Sequence, residues 1–153
     1  VDLSDLTRVG ALTLNPGETN LSSAVIDPAG EYAYFGTYTF PGVVVKVRLS
    51  DFTRVGAMTL NPGENGLYSA VIDPAGGYAY FGTDTSPGVV VKVRLSDFTR
   101  VGALTLNPGE NGLYSAVIDP AGGYAYLGTY TSPGIVVKID LGLRLLYLPV
   151  VFR

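Results

Sequence analysis

The side chains that could do chemistry in this chain recur at a fixed interval. Carboxylates stand at Asp27, Asp73 and Asp119 in a repeated Asp-Pro-Ala-Gly turn, and at Glu18, Glu64 and Glu110 in a repeated Asn-Pro-Gly-Glu loop. Tyrosines stand in pairs at Tyr32 and Tyr34, Tyr78 and Tyr80, and Tyr124 and Tyr126. Arranged about an axis, the acids would form rings of carboxylates able to hold cations, and the tyrosines would form surfaces for stacking on sugars or bases. Plainer chemistry competes with both. An Asp in such a turn accepts hydrogen bonds from nearby backbone N–H groups, and Ca²⁺ takes about 6–8 oxygen ligands, more than a single loop here supplies. A repeated aromatic strand packs between sheets with its hydroxyls at the rim. No metal and no cofactor is expected.

The missing residue types exclude more than the present ones promise. With no Cys, His or Trp, there are no disulfides, no thiolate chemistry, no Cys/His metal site and no Ser-His-Asp mechanism. Glycoside hydrolysis needs two carboxyl groups in unlike environments, whereas identical repeats offer equivalent acids and nothing to single one out. The formal charge of −3 and the scatter of ten Lys and Arg residues argue against nucleic acid as a partner. No stretch approaches the roughly 20 apolar residues of a spanning helix, and VDLSDLTRVG lacks the flanks of a signal peptide. The expectation is a soluble chain, or a mature or excised fragment, in a compartment that the lack of cysteine leaves open. Asn20-Leu21-Ser22 is a formal glycosylation sequon of a kind common by chance.

The elements that must position these residues follow from the repeat itself. Val1, Val47, Val93 and Ile139 open corresponding segments, so three copies occupy 1–46, 47–92 and 93–138. The second and third differ only at Met58/Leu104, Phe81/Leu127, Asp84/Tyr130 and Val89/Ile135. One repeat period divides into four short runs, LYSAVI (67–72), YAYFGT (78–83), VVVKVRL (89–95) and VGALTL (101–106), rich in residues that suit a pleated surface. Turns punctuate them: Pro presets φ and Gly supplies the exit in Asp73-Pro74-Ala75-Gly76, while 61–66 is a longer connection. Tyr78-Ala79-Tyr80-Phe81 is apolar on both faces, so both faces must be covered. Four-stranded units of this length, each between similar neighbours, predict an all-β fold, the β-propeller, with one blade per repeat.

The segment SAVIDPAGGYAYFGTYTSPGIVVKID (115–140) resembles the YVTN-type propeller repeat, whose namesake tetrapeptide corresponds here to Tyr-Phe-Gly-Thr (80–83) or Tyr-Leu-Gly-Thr (126–129). The resemblance covers all three copies. It implies a prokaryotic surface-layer-like or secreted propeller, hence an extracellular or cell-surface location, and supplies a fold more than an activity.

Three blades do not close a ring, because propellers have about four to eight, and two bare blade faces exceed the apolar patch a soluble monomer tolerates. The chain is therefore expected to partner itself, as a homodimer of six blades, with a homotrimer of nine as the alternative. Residues 1–142 are read as three blades circularly permuted, because Val9–Leu14 matches the fourth strand (101–106) and the last copy supplies only three strands. That N-terminal outer strand would complete the last blade of a neighbour. The non-repeat tail 143–153 competes for the same place with Leu145–Phe152, handicapped as an interior strand by Pro149; it is expected to pack at a blade edge or subunit junction.

Function is read from the loops. Tyr38, Asp84 and Tyr130 share one loop position yet differ between copies, as do Ser22, Tyr68 and Tyr114. Variation on a constant scaffold marks a binding surface, and Glu18, Glu64 and Glu110 join Tyr38, Asp84 and Tyr130 as candidate binding-face positions for a carbohydrate or protein ligand. The reading is a non-enzymatic, self-assembling scaffold. A hydrolase or lyase with a central-channel site, and an engineered repeat unit with no specific function, are the alternatives.

Overall fold

A computed structural model of the chain describes residues 5–73, 75, 77–119, 121 and 123–142. The described chain is eleven strands in three sheets. The first contains β1 (Leu21–Ile26), β2 (Tyr32–Thr37), β3 (Val43–Arg48) and β4 (Thr53–Thr59). The second contains β5 (Leu67–Ile72), β6 (Tyr78–Thr83), β7 (Val89–Arg94) and β8 (Thr99–Thr105). The third has β9 (Leu113–Asp119), β10 (Tyr124–Thr129) and β11 (Val136–Asp140). Strands pair antiparallel with their sequence neighbours, the meander that short turns dictate. The Asp turns close as expected: Asp27 accepts Glu31 N–H and Tyr32 N–H at 2.9 and 3.2 Å, and Asp73 and Asp119 accept the N–H of Ala75 and Ala121, each at 3.1 Å.

The fourth strand begins earlier than its apolar run, at Thr53 and Thr99 inside the segment read as a turn. Val55 is skipped in the ladder, where Lys46 faces Gly56 and Val47 faces Arg54, and Val101 is skipped likewise. This β-bulge absorbs one extra residue, so the ladder continues down to a tight turn at Phe52 and Phe98, both at positive φ.

The core lies between sheets, which is why the middle strands are apolar on both faces. One layer joins Tyr34 and Val44 of the first sheet to Leu67, Phe81 and Val91 of the second; the other joins Tyr80 and Val90 to Leu113, Leu127 and Ile139 of the third. Each layer is keyed by a leucine in a glycine hollow. A Cβ on Gly36 or Gly42 would lie 2.8 or 2.7 Å from Leu67, and a Cβ on Gly82 or Gly88 would lie 2.8 or 2.7 Å from Leu113. Glycine is the only residue that leaves room for the knob.

Among the described residues, Val9–Leu14 pairs with no strand and forms no ladder. It nevertheless lies where a fourth strand would lie relative to the following sheet: a Cβ on Gly10 would be 3.6 Å from the Phe52 ring, as one on Gly56 would be 3.9 Å from Phe98. The competing segment Leu145–Phe152 is outside the described residues.

Candidate binding face at the sheet rim

Three threonine relays build the loops that carry the variable residues. In the first, Val43 N–H donates to Thr37 Oγ1 at 2.9 Å, the Thr37 and Thr39 hydroxyls are 2.6 Å apart, and Thr39 Oγ1 donates to the Pro41 carbonyl at 2.8 Å. Thr39 spends its only proton on Pro41, so Thr37 is the donor to Thr39. The same chain runs through Thr83, Thr85 and Pro87, and through Thr129, Thr131 and Pro133. Each relay fixes the residue between its two threonines, which is Tyr38, Asp84 or Tyr130. Its backbone N–H donates across to the carbonyl of Asn20, Gly66 or Gly112 at 2.7–2.8 Å. Those three residues sit at φ of 54°, 61° and 61°, the left-handed region open to Gly and Asn.

A second device aims more side chains at the same place. Tyr68 is skipped in the ladder between Leu67 and Ser69, and Tyr114 between Leu113 and Ser115. They are bulge residues, and a bulge re-aims its side chain out of the pleat.

The two devices converge. Tyr38 and Tyr114 both donate their hydroxyls to Asp84 Oδ2, at 3.0 and 3.2 Å. Tyr68 and Tyr114 stack with centroids 4.1 Å apart, Tyr114 and Tyr130 stack at 4.6 Å, and Tyr38 meets Tyr68 edge-on at 5.3 Å. Phe40 extends the row, edge-on to Tyr38 at 5.3 Å. Tyr130 is 73% exposed and leaves one ring face open. Hydrogen bonding to Asp84 raises the Tyr38 phenol above its ordinary value. Tyr114 is pushed up to about 12, by burial first and then by the Asp84 charge. A half-buried carboxylate framed by four tyrosines has the chemistry to receive a cation on aromatic faces.

Of the positions singled out from the sequence, Tyr38, Asp84 and Tyr130 thus belong to one cluster. The glutamates lie in the adjoining loops with different partners. Glu18 receives the guanidinium of Arg54 on both oxygens, Nε at 2.9 and 2.8 Å, and Glu64 receives Arg100 at 2.9 and 3.0 Å. Arg54 holds the Glu18 carboxyl below the usual carboxylate range, against the opposing effect of burial. Glu110 accepts Asn107 N–H at 2.9 Å, and no guanidinium reaches it among the described residues. Among the described residues no group of three acids is placed to hold a metal ion, and no helix is long and apolar enough to cross a membrane. The stack of Tyr68 on Tyr114 was not foreseen. Its trace in the sequence is that, of the nine positions at which the first copy differs from the second, five, Thr19/Asn65, Asn20/Gly66, Ser22/Tyr68, Tyr38/Asp84 and Phe40/Ser86, lie in this cluster or its loops.

No protein-family model matches the chain, and no curated protein matches it. Solved structures do. A crystal structure of RRP9 WD40 repeats superposes with a TM-score of 0.62 at 10% identity, over 75% of this chain and 34% of that one. The structure of U3-55K superposes with a TM-score of 0.61 at 10% identity, over 75% and 35%. The fold is a β-propeller. Each sheet is a blade, and the chain spans about a third of the length of these two propellers. Strand contacts between β1, β5 and β9 of successive blades place the first strand of each blade innermost, so the tyrosine cluster sits where the inner strands meet the rim.

Proposed function

We propose that this chain is a non-enzymatic β-propeller scaffold that assembles with copies of itself and binds a protein partner through the face made by Tyr38, Tyr68, Asp84, Tyr114 and Tyr130. One observation carries the reading. Three of the four differences between the second and third repeats exchange one apolar residue for another, and the fourth, Asp84/Tyr130, changes charge and shape at the centre of the cluster. The scaffold is held constant while the face varies, which is how binding surfaces are built on rigid folds. Aromatic faces beside a carboxylate, on a chain of net charge −3, favour a partner segment that presents Arg or Lys. Residues 1–142 form the three blades of this reading, six in a homodimer ring, and the YVTN-type resemblance favours a cell-surface setting.

Peptide and glycan arrays probed with the full chain test it. Binding concentrated on Arg- or Lys-bearing peptides and lost in both Tyr130→Ala and Asp84→Asn supports the face. Binding to glycans alone, or binding indifferent to both substitutions, rejects it.

A further inference from the structure

The two ends of the blade stack are unfinished in complementary ways. The third blade lacks a fourth strand among the described residues, and no described strand pairs with the outer edge of β11. Val136 on that strand is 75% exposed where its counterpart Val90 is 4% exposed. A groove runs along this edge, lined by Leu106, Glu110, Val136, Lys138 and Asp140. At the other end, Thr7–Thr13 reads TRVGALT, identical to β8, and pairs with no strand among the described residues.

Three separate features of the internal junctions have one half at each end. Glu18 and Glu64 each hold the arginine of the fourth strand in their own blade. The remaining acid of the series is Glu110 and the remaining arginine is Arg8, neither ion-paired among the described residues. Leu67 and Leu113 fill glycine hollows, whereas their counterpart Leu21 is 48% exposed and no described residue fills the corresponding hollow: none lies within 4 Å of a Cβ on Gly134, and no described leucine approaches Gly128. Phe98 packs 5.9 Å from the Tyr34 ring of the preceding blade, with Lys46 over it at 5.7 Å; its counterpart Phe52 is exposed, and Tyr126 and Lys138 stand ready on the third blade.

We propose that residues 5–14 of a second copy complete the third blade, lying beside β11 in the register of β8 on β7. Gly10 then faces Lys138, Arg8 reaches Glu110, and Leu21 of that copy enters the hollow at Gly128 and Gly134. The contact rests on the self-assembling scaffold proposed above and names the residues that make it. The tail is the poorer occupant of the same register, with Leu146 in place of the arginine and Pro149, which has no N–H, in place of Ala103. The end of the strand is the weaker part of the junction, because Asp140 replaces Arg94, and the Arg94–Asp97 ion pair becomes two carboxylates, Asp140 and Asp5.

Charge reversal in the full chain, read by light scattering after size exclusion, tests the contact. The unaltered chain is expected at twice its mass of 16.1 kDa. Arg8→Glu and Glu110→Arg each set like charges together and weaken association roughly thirtyfold or more, while the dilute variants keep the far-UV circular dichroism of the folded chain. The double variant Arg8→Glu/Glu110→Arg regains assembly. An equal mixture of the two single variants also assembles, since both junctions of a two-chain ring then pair opposite charges, whereas a three-chain ring would always retain one like-charged junction. Single variants that assemble as the unaltered chain does, or a double variant no better than the singles, overturn the Arg8–Glu110 contact and leave self-assembly standing. An unaltered chain that stays at 16.1 kDa at every concentration rejects both.

Discussion

Leu67→Ala isolates the bond between blades. The Leu67 side chain is fully buried in a hollow whose walls are the backbone at Gly36 and Gly42. Backbone walls in two paired strands cannot collapse onto the void, so the cost belongs in the upper part of the range for buried Leu→Ala, about 4 kcal/mol. In a chain of this length, that lowers the melting temperature by about 8–16 °C. Leu21→Ala is the internal control: same residue type, same place in the repeat, but half exposed in the single chain. Diluted to the monomer, it should cost less than about 1 kcal/mol. Urea unfolding at low and high protein concentration measures both. The expected pattern is a large, concentration-independent loss for Leu67→Ala, and a loss for Leu21→Ala that grows with concentration as the assembled reference becomes more stable. Equal losses for the two variants in the dilute chain would refute the claim that the leucine-in-glycine contact is the dominant bond between neighbouring blades.

Gly66→Ala introduces a side chain at φ +61°, with its Cβ 2.7 Å from the Tyr38 ring. It should cost about 1–2 kcal/mol for the backbone alone and disturb the tyrosine near-UV signal, whereas Gly109→Ala, at φ +94° with nothing within 4 Å, should leave that signal unchanged. Phenolate absorbance of Asp84→Asn should show Tyr38 titrating closer to 10.0 and Tyr114 moving less, because hydrogen bonding to Asp84 leads for the first and burial for the second. The raised Tyr114 value stabilises the fold fully below pH 10.0, and that contribution is lost as pH rises through about 12. The Glu18 carboxyl is held below its reference of 4.5, so its contribution is present above that pH and lost as pH falls through the lower folded value; Arg54→Ala should flatten this acid limb in urea midpoints measured against pH.

The period, the four-strand unit and the two-sided burial were legible because they depend on local pattern: Val, Tyr and Leu runs cut by Pro and Gly turns at constant offsets. The start of β4 was misread because the bulge at Val55 is a feature of pairing and leaves no mark in composition. The cluster was half legible. Tyr38, Asp84 and Tyr130 stood out as a varying loop position, but their meeting with Tyr68 and Tyr114 depends on a second bulge one strand away. The glutamates were read as candidate binding-face loop positions, and Glu18 and Glu64 are engaged by Arg54 and Arg100, partners 36 residues along the chain. Nothing in a period of 46 points to a spacing of 36.

A chain of near-identical blades has one junction written repeatedly. The surface that receives Leu67 on the first blade must therefore be built again on the second for Leu113, and on the third for a leucine that follows. The face that offers Leu67 on the second blade is likewise offered by the first as Leu21. Any run of such units that does not close on itself ends in a knob at one side and a hollow at the other, and the Arg–Glu pair is divided in the same way. Self-complementarity is then a consequence of repetition and needs no residue selected for assembly. A substitution at Leu21, Arg8, Glu110 or Gly134 could end it at no cost to the internal junctions, and all four positions keep the residue found inside the stack. Departures at the rim, Ser22 and Tyr130 among them, alter what the face presents and leave these four positions intact, whereas Leu6 in place of Phe52 and Phe98, and Asp140 in place of Arg94, fall on the strand pair that joins the copies.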